Sequence, residues 1–194
     1  GSQTLINSGT VVVDGLSNYL SGRRIRGQVD NQGQFTASAD MEIDYSSSNE
    51  PDVINSGTFT IDAGVEVWTD HFRMGGGTLD HQGELRVDRF DYNGGVISGN
   101  PITVQDLTLD GGGAGAFIVT GYGNLSGSIG ADQLVTLQPS EGSSTDIEWD
   151  SGFQNAGTLR LTSDDGSSSV MLNMGGGSQT LINSGTVVVD GLSN

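Results

Sequence analysis

The chain has 194 residues and a formal charge of −17, from 24 acidic side chains against seven basic ones, all Arg. That balance excludes a phosphate-backbone partner, and the absence of Cys excludes disulfides and thiolate metal sites. The apolar runs are a few residues long, too short for membrane insertion as a helix, and an export signal is expected to lie outside these residues.

Residues 1–18 read GSQTLINSGTVVVDGLSN, and residues 177–194 repeat them without a difference. The chain therefore reads as one tandem repeat, 1–176, followed at 177–194 by the start of the next identical one. A duplicated end is the alternative; Gly177-Ser178 inside the chain argues that Gly1-Ser2 is native too.

A shorter motif recurs within the period, of the form apolar-x-Asn-x-Gly-Thr-apolar-x-apolar. In chain order its Asn and Gly are Asn7 and Gly9, Asn31 and Gly33, then Asn55 and Gly57. His81 and Gly83 form a variant, followed by Asn155 with Gly157 and Asn183 with Gly185. Successive motif glycines are offset by 24, 24, 26, 74 and 28 in the numbering. Taking the offset of 74 as three units gives seven units of about 25 residues, with unseen copies near Asp106 and Gly130. Short strands at this period, with no helical periodicity, predict an all-β parallel β-helix, a β-solenoid with about 25 residues per rung.

Strand alternation then assigns an inward core ladder. Its members are Val11 and Val13, Phe35 and Ala37, Phe59 and Ile61, Leu85 and Val87, Leu159 and Leu161, Val187 and Val189. Phe35 and Phe59 are expected to stack. The corner Gly is expected at φ > 0, and the Asn before it is expected to hydrogen-bond its counterpart in the next rung, with His81 substituting once.

The Asn-x-Gly-Thr corners, with Asn93-Gly94-Gly95-Val96-Ile97-Ser98-Gly99-Asn100 and Gly75-Gly76-Gly77-Thr78-Leu79, resemble the right-handed parallel β-helix repeat proteins of bacterial surfaces. These are filamentous-haemagglutinin-like exoproteins, autotransporter passenger domains and giant tandem-repeat adhesins. The resemblance implies a right-handed coil and an extracellular or cell-surface location. It is weak between residues 110 and 150, and the same scaffold also carries pectin-degrading enzymes, so fold alone does not assign function.

Two polar stretches, Asp44 to Asp52 and Ser163 to Ser169, read as loops. Arg23, Arg24 and Arg26 form the basic cluster, either solvated along a strand or a lateral contact between fibres. Asp70 with Asp88 or Asp91 offers the carboxylate pairs a glycosidase would need, although 24 acids make such pairs easy to draw. No cofactor is called for. Ca²⁺ is the one ion the Asp-rich composition invites, but Gly112-Gly113-Ala114-Gly115-Ala116 carries Ala where the calcium nonapeptide needs Asp. His71 and His81 lack zinc-site spacing.

The expectation is a non-catalytic structural subunit of an extracellular fibre or stalk. Its partners would be adjacent repeats end to end, with rungs ~4.8 Å apart. A glycan- or surface-binding adhesin segment, using Trp68 to Phe72, is the alternative. A polysaccharide-degrading enzyme stands behind both.

Overall fold

Short β-branched segments, cut by Gly- and Asn-rich corners, turn the chain without folding it back into hairpins. Each segment instead pairs in parallel with the one a full turn of the coil away. The computed structural model describes residues 3–15, 22–45, 50–140, 143–149, 152–163, 168–173 and 180–191. Among these it is all-β, with long parallel sheets and no α-helix, the architecture of a parallel β-helix. The chain divides into two units, Gly1–Asn100 and Pro101–Asn194.

In the first unit, β1 (Thr4–Asn7), β2 (Thr10–Val13) and β3 (Arg24–Arg26) precede β4 (Gln28–Asn31), β5 (Gln34–Ala37) and β6 (Met41–Asp44). Then come β7 (Val53–Asn55), β8 (Thr58–Ile61), β9 (Glu66–Met74), β10 (Thr78–His81), β11 (Glu84–Tyr92) and β12 (Val96–Gly99). Three rows of parallel strands result. One runs β1, β4, β7 and the second halves of β9 and β11. The next runs β2, β5, β8, β10, β12. The third runs β3, β6 and the first halves of β9 and β11. The two long strands turn a corner at Asp70 and Asp88, so one strand serves two faces.

The second unit is built likewise from β13 (Ile102–Val104), β14 (Asp106–Leu109), β15 (Gly115–Val119), β16 (Tyr122–Ile129) and β17 (Gln133–Leu137). It continues with β18 (Thr145–Trp149), β19 (Gln154–Asn155), β20 (Thr158–Ser163), β21 (Val170–Asn173), β22 (Ile182–Asn183) and β23 (Thr186–Gly191). β13, β15, β17, β20 and β23 stack in one row. β14 pairs with β16 at Leu125 to Gly127, and the start of β16, Tyr122 to Leu125, with β18 and then β21 forms another. The end of β16, β19 and β22 form the third.

Rung length is not uniform. Thr10 pairs with Gln34 and Gln34 with Thr58, two equal steps of 24 in the numbering. Thr58 then pairs with Thr78 and Thr78 with Val96, steps of only 20 and 18. In the second unit the steps run from 15, at Ile102 to Phe117, to 28, at Thr158 to Thr186. The step from Gly57 to Gly83 is therefore not one rung: Gly77 lies over Gly57, and Gly83 belongs to the following corner, over Val65. Of the two expected loops, residues 46–49 and 164–167 lie outside the described residues.

The core fills from alternate positions of every face. Val29, Phe35, Phe59, Ile61, Phe72, Phe90 and Leu79 are fully buried. Phe35 and Phe59 stack with centroids 4.6 Å apart and planes 6° from parallel, and Phe72 meets Phe59 edge-on at 5.4 Å. Such pairs contribute about 0.5–1.5 kcal/mol beyond area burial.

Candidate functional site

The corner between the first and second faces holds a directional Asn ladder. Asn7 Nδ2 donates to Asn31 Oδ1 at 2.8 Å, and Asn31 Nδ2 to Asn55 Oδ1 at 2.7 Å. Each Nδ2 also donates to a backbone carbonyl just past the next corner: Gln34, Thr58 and, from Asn55, Thr78. The same unit recurs at Asn155, which donates to Asn183 Oδ1 at 2.7 Å and to the Thr186 carbonyl. Such buried amides fix register, because a one-residue slip would strand their donors; Asn155 Oδ1 has no partner among the described residues.

The motif glycines are required for space rather than for left-handed backbone, whereas Gly77 and Gly95, which continue the stack above Gly57, are crowded and also take positive φ. Gly9, Gly33, Gly57, Gly83, Gly157 and Gly185 do not take positive φ, contrary to the sequence expectation. A Cβ on Gly33 would instead lie 2.2 Å from the Gly9 carbonyl oxygen, and one on Gly57 2.2 Å from that of Gly33. Gly157 and Gly185 are crowded in the same way by Gly130 and Gly157. Gly130 thus sits in the corner stack as its spacing suggested. Asp106 does not: it opens β14, where its carboxylate accepts from the Asn124 amide.

His81 departs from its expected place. It lies beside Ile61, not over an Asn; the Asn55 slot passes to Met74. The inward row is Val13, Ala37, Ile61, His81, and its neighbour is Val11, Phe35, Phe59, Leu79. Leu85 and Val87 are buried on the third face, over Val67 and Thr69, not in the row of Phe59 and Ile61. Leu159 is buried over Val135, and Leu161, over Leu137, is half-buried. His81 Nδ1 bonds the Gly83 carbonyl at 3.2 Å, and Nε2 has no partner among the described residues. Burial pushes its pKa down to about 4, against a smaller opposing pull from Asp80.

Arg23 and Arg24 are turned to their own chain. Arg24 pairs with Glu42 at 2.8 Å and with Asp44. Arg23 donates to the carbonyls of Asp14 and Asp40. Arg26 is exposed.

Sequence reasoning missed a buried charge cluster. Asp91, 5 % exposed, bonds His71 Nε2 at 2.8 Å, Arg73 at 3.1 Å and Arg89 at 3.2 Å. Burial works against its carboxylate, but the hydrogen bond and charge of His71, then Arg73 and Arg89, prevail and hold it well below the usual range. Two strands below, just before β7, Asp52 accepts from the amides of Tyr45, Asp70 and His71 and from Thr69 Oγ1. Asp70 beside it is raised by burial and by the charges of Asp52, Asp88, Asp44 and Glu42. The signal for this corner was a short-range echo in the sequence: Asp70-His71-Phe72 against Asp88-Arg89-Phe90, then Gly76-Gly77 against Gly94-Gly95.

Among the described residues no group of three or more His, Asp or Glu is arranged to hold a metal ion. No helix among them is long and apolar enough to cross a membrane. The chain matches no family model, no curated protein and no solved structure.

Proposed function

We propose that this chain is a structural segment of an extracellular or cell-surface β-solenoid fibre or stalk, built from tandem identical repeats and without catalytic activity. The observation that carries the reading is the pairing of an exact sequence identity, 1–18 with 177–194, with parallel rungs whose polar corners stack in register. An enzyme needs one site; a fibre needs many equivalent rungs. Gly-, Ser- and Asp-rich outer positions at −17 per chain keep such a surface soluble and repel anionic surfaces. Electron microscopy of the native material tests this: unbranched rods support it, and isolated globules reject it.

The same reading includes lateral fibre contacts at the Arg23, Arg24 and Arg26 cluster, led by exposed Arg26 because Arg23 and Arg24 are engaged within their own chain, weak singly and additive along an array. Replacing all three by Ala and finding unchanged bundling at low salt would remove that contact from the proposal.

A glycan-binding adhesin segment is the second reading. It is favoured by Trp68, 38 % exposed on the outer third face with Glu42 and Arg86 on the neighbouring strands. A glycan array probed with the wild type and Trp68→Ala separates the two, since a stalk alone binds nothing in either form. Turnover of acidic polysaccharides would be the mark of the remaining, enzymatic reading.

A further inference from the structure

We propose that successive periods join without a linker, through a coil whose Asn ladder is centred on the junction. The proposal rests on the tandem-repeat reading above and names the surface that joins one repeat to the next.

One segment occurs in two settings in this chain. Residues 6–13 and 182–189 have the same sequence. In the first copy the strands are covered from above: Asn7 by Asn31, Val11 by Phe35, Val13 by Ala37. In the second copy they are covered from below: Asn183 by Asn155, Val187 by Leu159, Val189 by Leu161. Neither covering strand competes with the other, because they take opposite edges of the same strands.

The hydrogen bonds are complementary atom by atom. Asn183 uses Oδ1 to accept from Asn155. Asn7 uses Nδ2 to donate to Asn31 and Gln34, while its Oδ1 is held by its own Gly9 amide at 3.1 Å. Superposing the two settings gives one residue that accepts from below and donates above, as Asn31 does inside the first unit. The ladder then holds four Asn in sequence: Asn155, the shared Asn7 or Asn183, Asn31 and Asn55. Its outer slots are apolar, Ile129 below Asn155 and Met74 above Asn55. A polar ladder bounded by Ile and Met at its outer slots thus runs through the repeat boundary, with the shared Asn accepting on one side and donating on the other.

Space and charge agree. Nothing lies within 4 Å of a Cβ on Gly9, whereas one on Gly185 would meet the Gly157 carbonyl oxygen at 2.2 Å. Arg160 pairs with Asp190 at 2.8 Å, so across a junction Arg160 of one period meets Asp14 of the next.

The test uses a chain in which residues 1–176 are followed directly by 1–194. Amide exchange should be as slow in the internal copy of residues 6–13 as in β4 and β5, and faster only in the leading copy. Gly9→Ala is the variant that discriminates. In the leading copy it should leave the melting midpoint unchanged; in the internal copy it should lower it by roughly 5 °C or more. Fast exchange throughout the internal copy, or a silent internal Gly9→Ala, would overturn the junction. The exchange result needs no variant, so it stands even if the substituted chain fails to fold. Either negative outcome describes repeats strung like beads, and leaves the fibre reading itself to the microscopy above.

Discussion

His81 lies directly beside Ile61 on the neighbouring rung, an imidazole in a row otherwise made of Val13, Ala37 and Ile61. It is 2 % exposed, and burial lowers its pKa from 6.5 to about 4. The unfolded chain therefore binds a proton that the folded chain refuses between these values. Stability is full above pH ~6.5 and falls as pH drops to about 4, by about 3 kcal/mol in all. Urea titrations at pH 7 and pH 4.5 should show the loss, and His81→Leu should remove most of it.

Asn31 is the middle of the ladder. Asn31→Ala removes the partner of one Asn7 Nδ2 N–H, which keeps its bond to the Gln34 carbonyl, and of Asn55 Oδ1, so it should cost about 2–4 kcal/mol, measured as a shift of the urea midpoint. Asn7→Ala removes one ladder bond and should cost clearly less.

Asp91 joins His71, Arg73 and Arg89. Its carboxylate is held below the usual range, so its contribution is present above pH ~4 and is lost as pH falls further. Asp91→Asn should destabilise the chain by about 2 kcal/mol at pH 7, below the usual cost of a broken buried pair because Arg89 is half exposed. The variant should also lose less stability than wild type between pH 5 and pH 2, read by circular dichroism.

Gly33 tests the close packing of the corner. Its φ would admit Ala, yet the added methyl meets the Gly9 carbonyl, so Gly33→Ala should lower the melting midpoint by several degrees. Gly64→Ala, strained by φ +78° but in open space, should lower it less.

The coil was legible because its signals are local. Asn7, Asn31 and Asn55 recur at a constant interval, and the Phe35 and Phe59 pair follows from that spacing alone. Reading broke at Gly57, where the rung shortens, first between Thr58 and Thr78 and again between Thr78 and Val96. Leu79-Asp80-His81-Gln82-Gly83 imitates the corner motif, so a uniform period absorbed it and moved His81 onto the wrong face. The Asp91 cluster was hidden for a related reason: its partners lie on one rung and the next, and only the shortened register brings Arg73 beside Asp91. The corner glycines were recognised, but their reason was not. A sequence shows which residue lacks a Cβ; only the stacked rung shows the carbonyl that occupies its place.

The central claim is that the period continues covalently from one repeat to the next. The most direct measurement is the denatured mass of the native polypeptide. The account predicts a mass many times the 20.1 kDa of this chain, with internal peptides spanning Gly177-Ser178 in large excess over terminal ones. A mass near that of one period would contradict it.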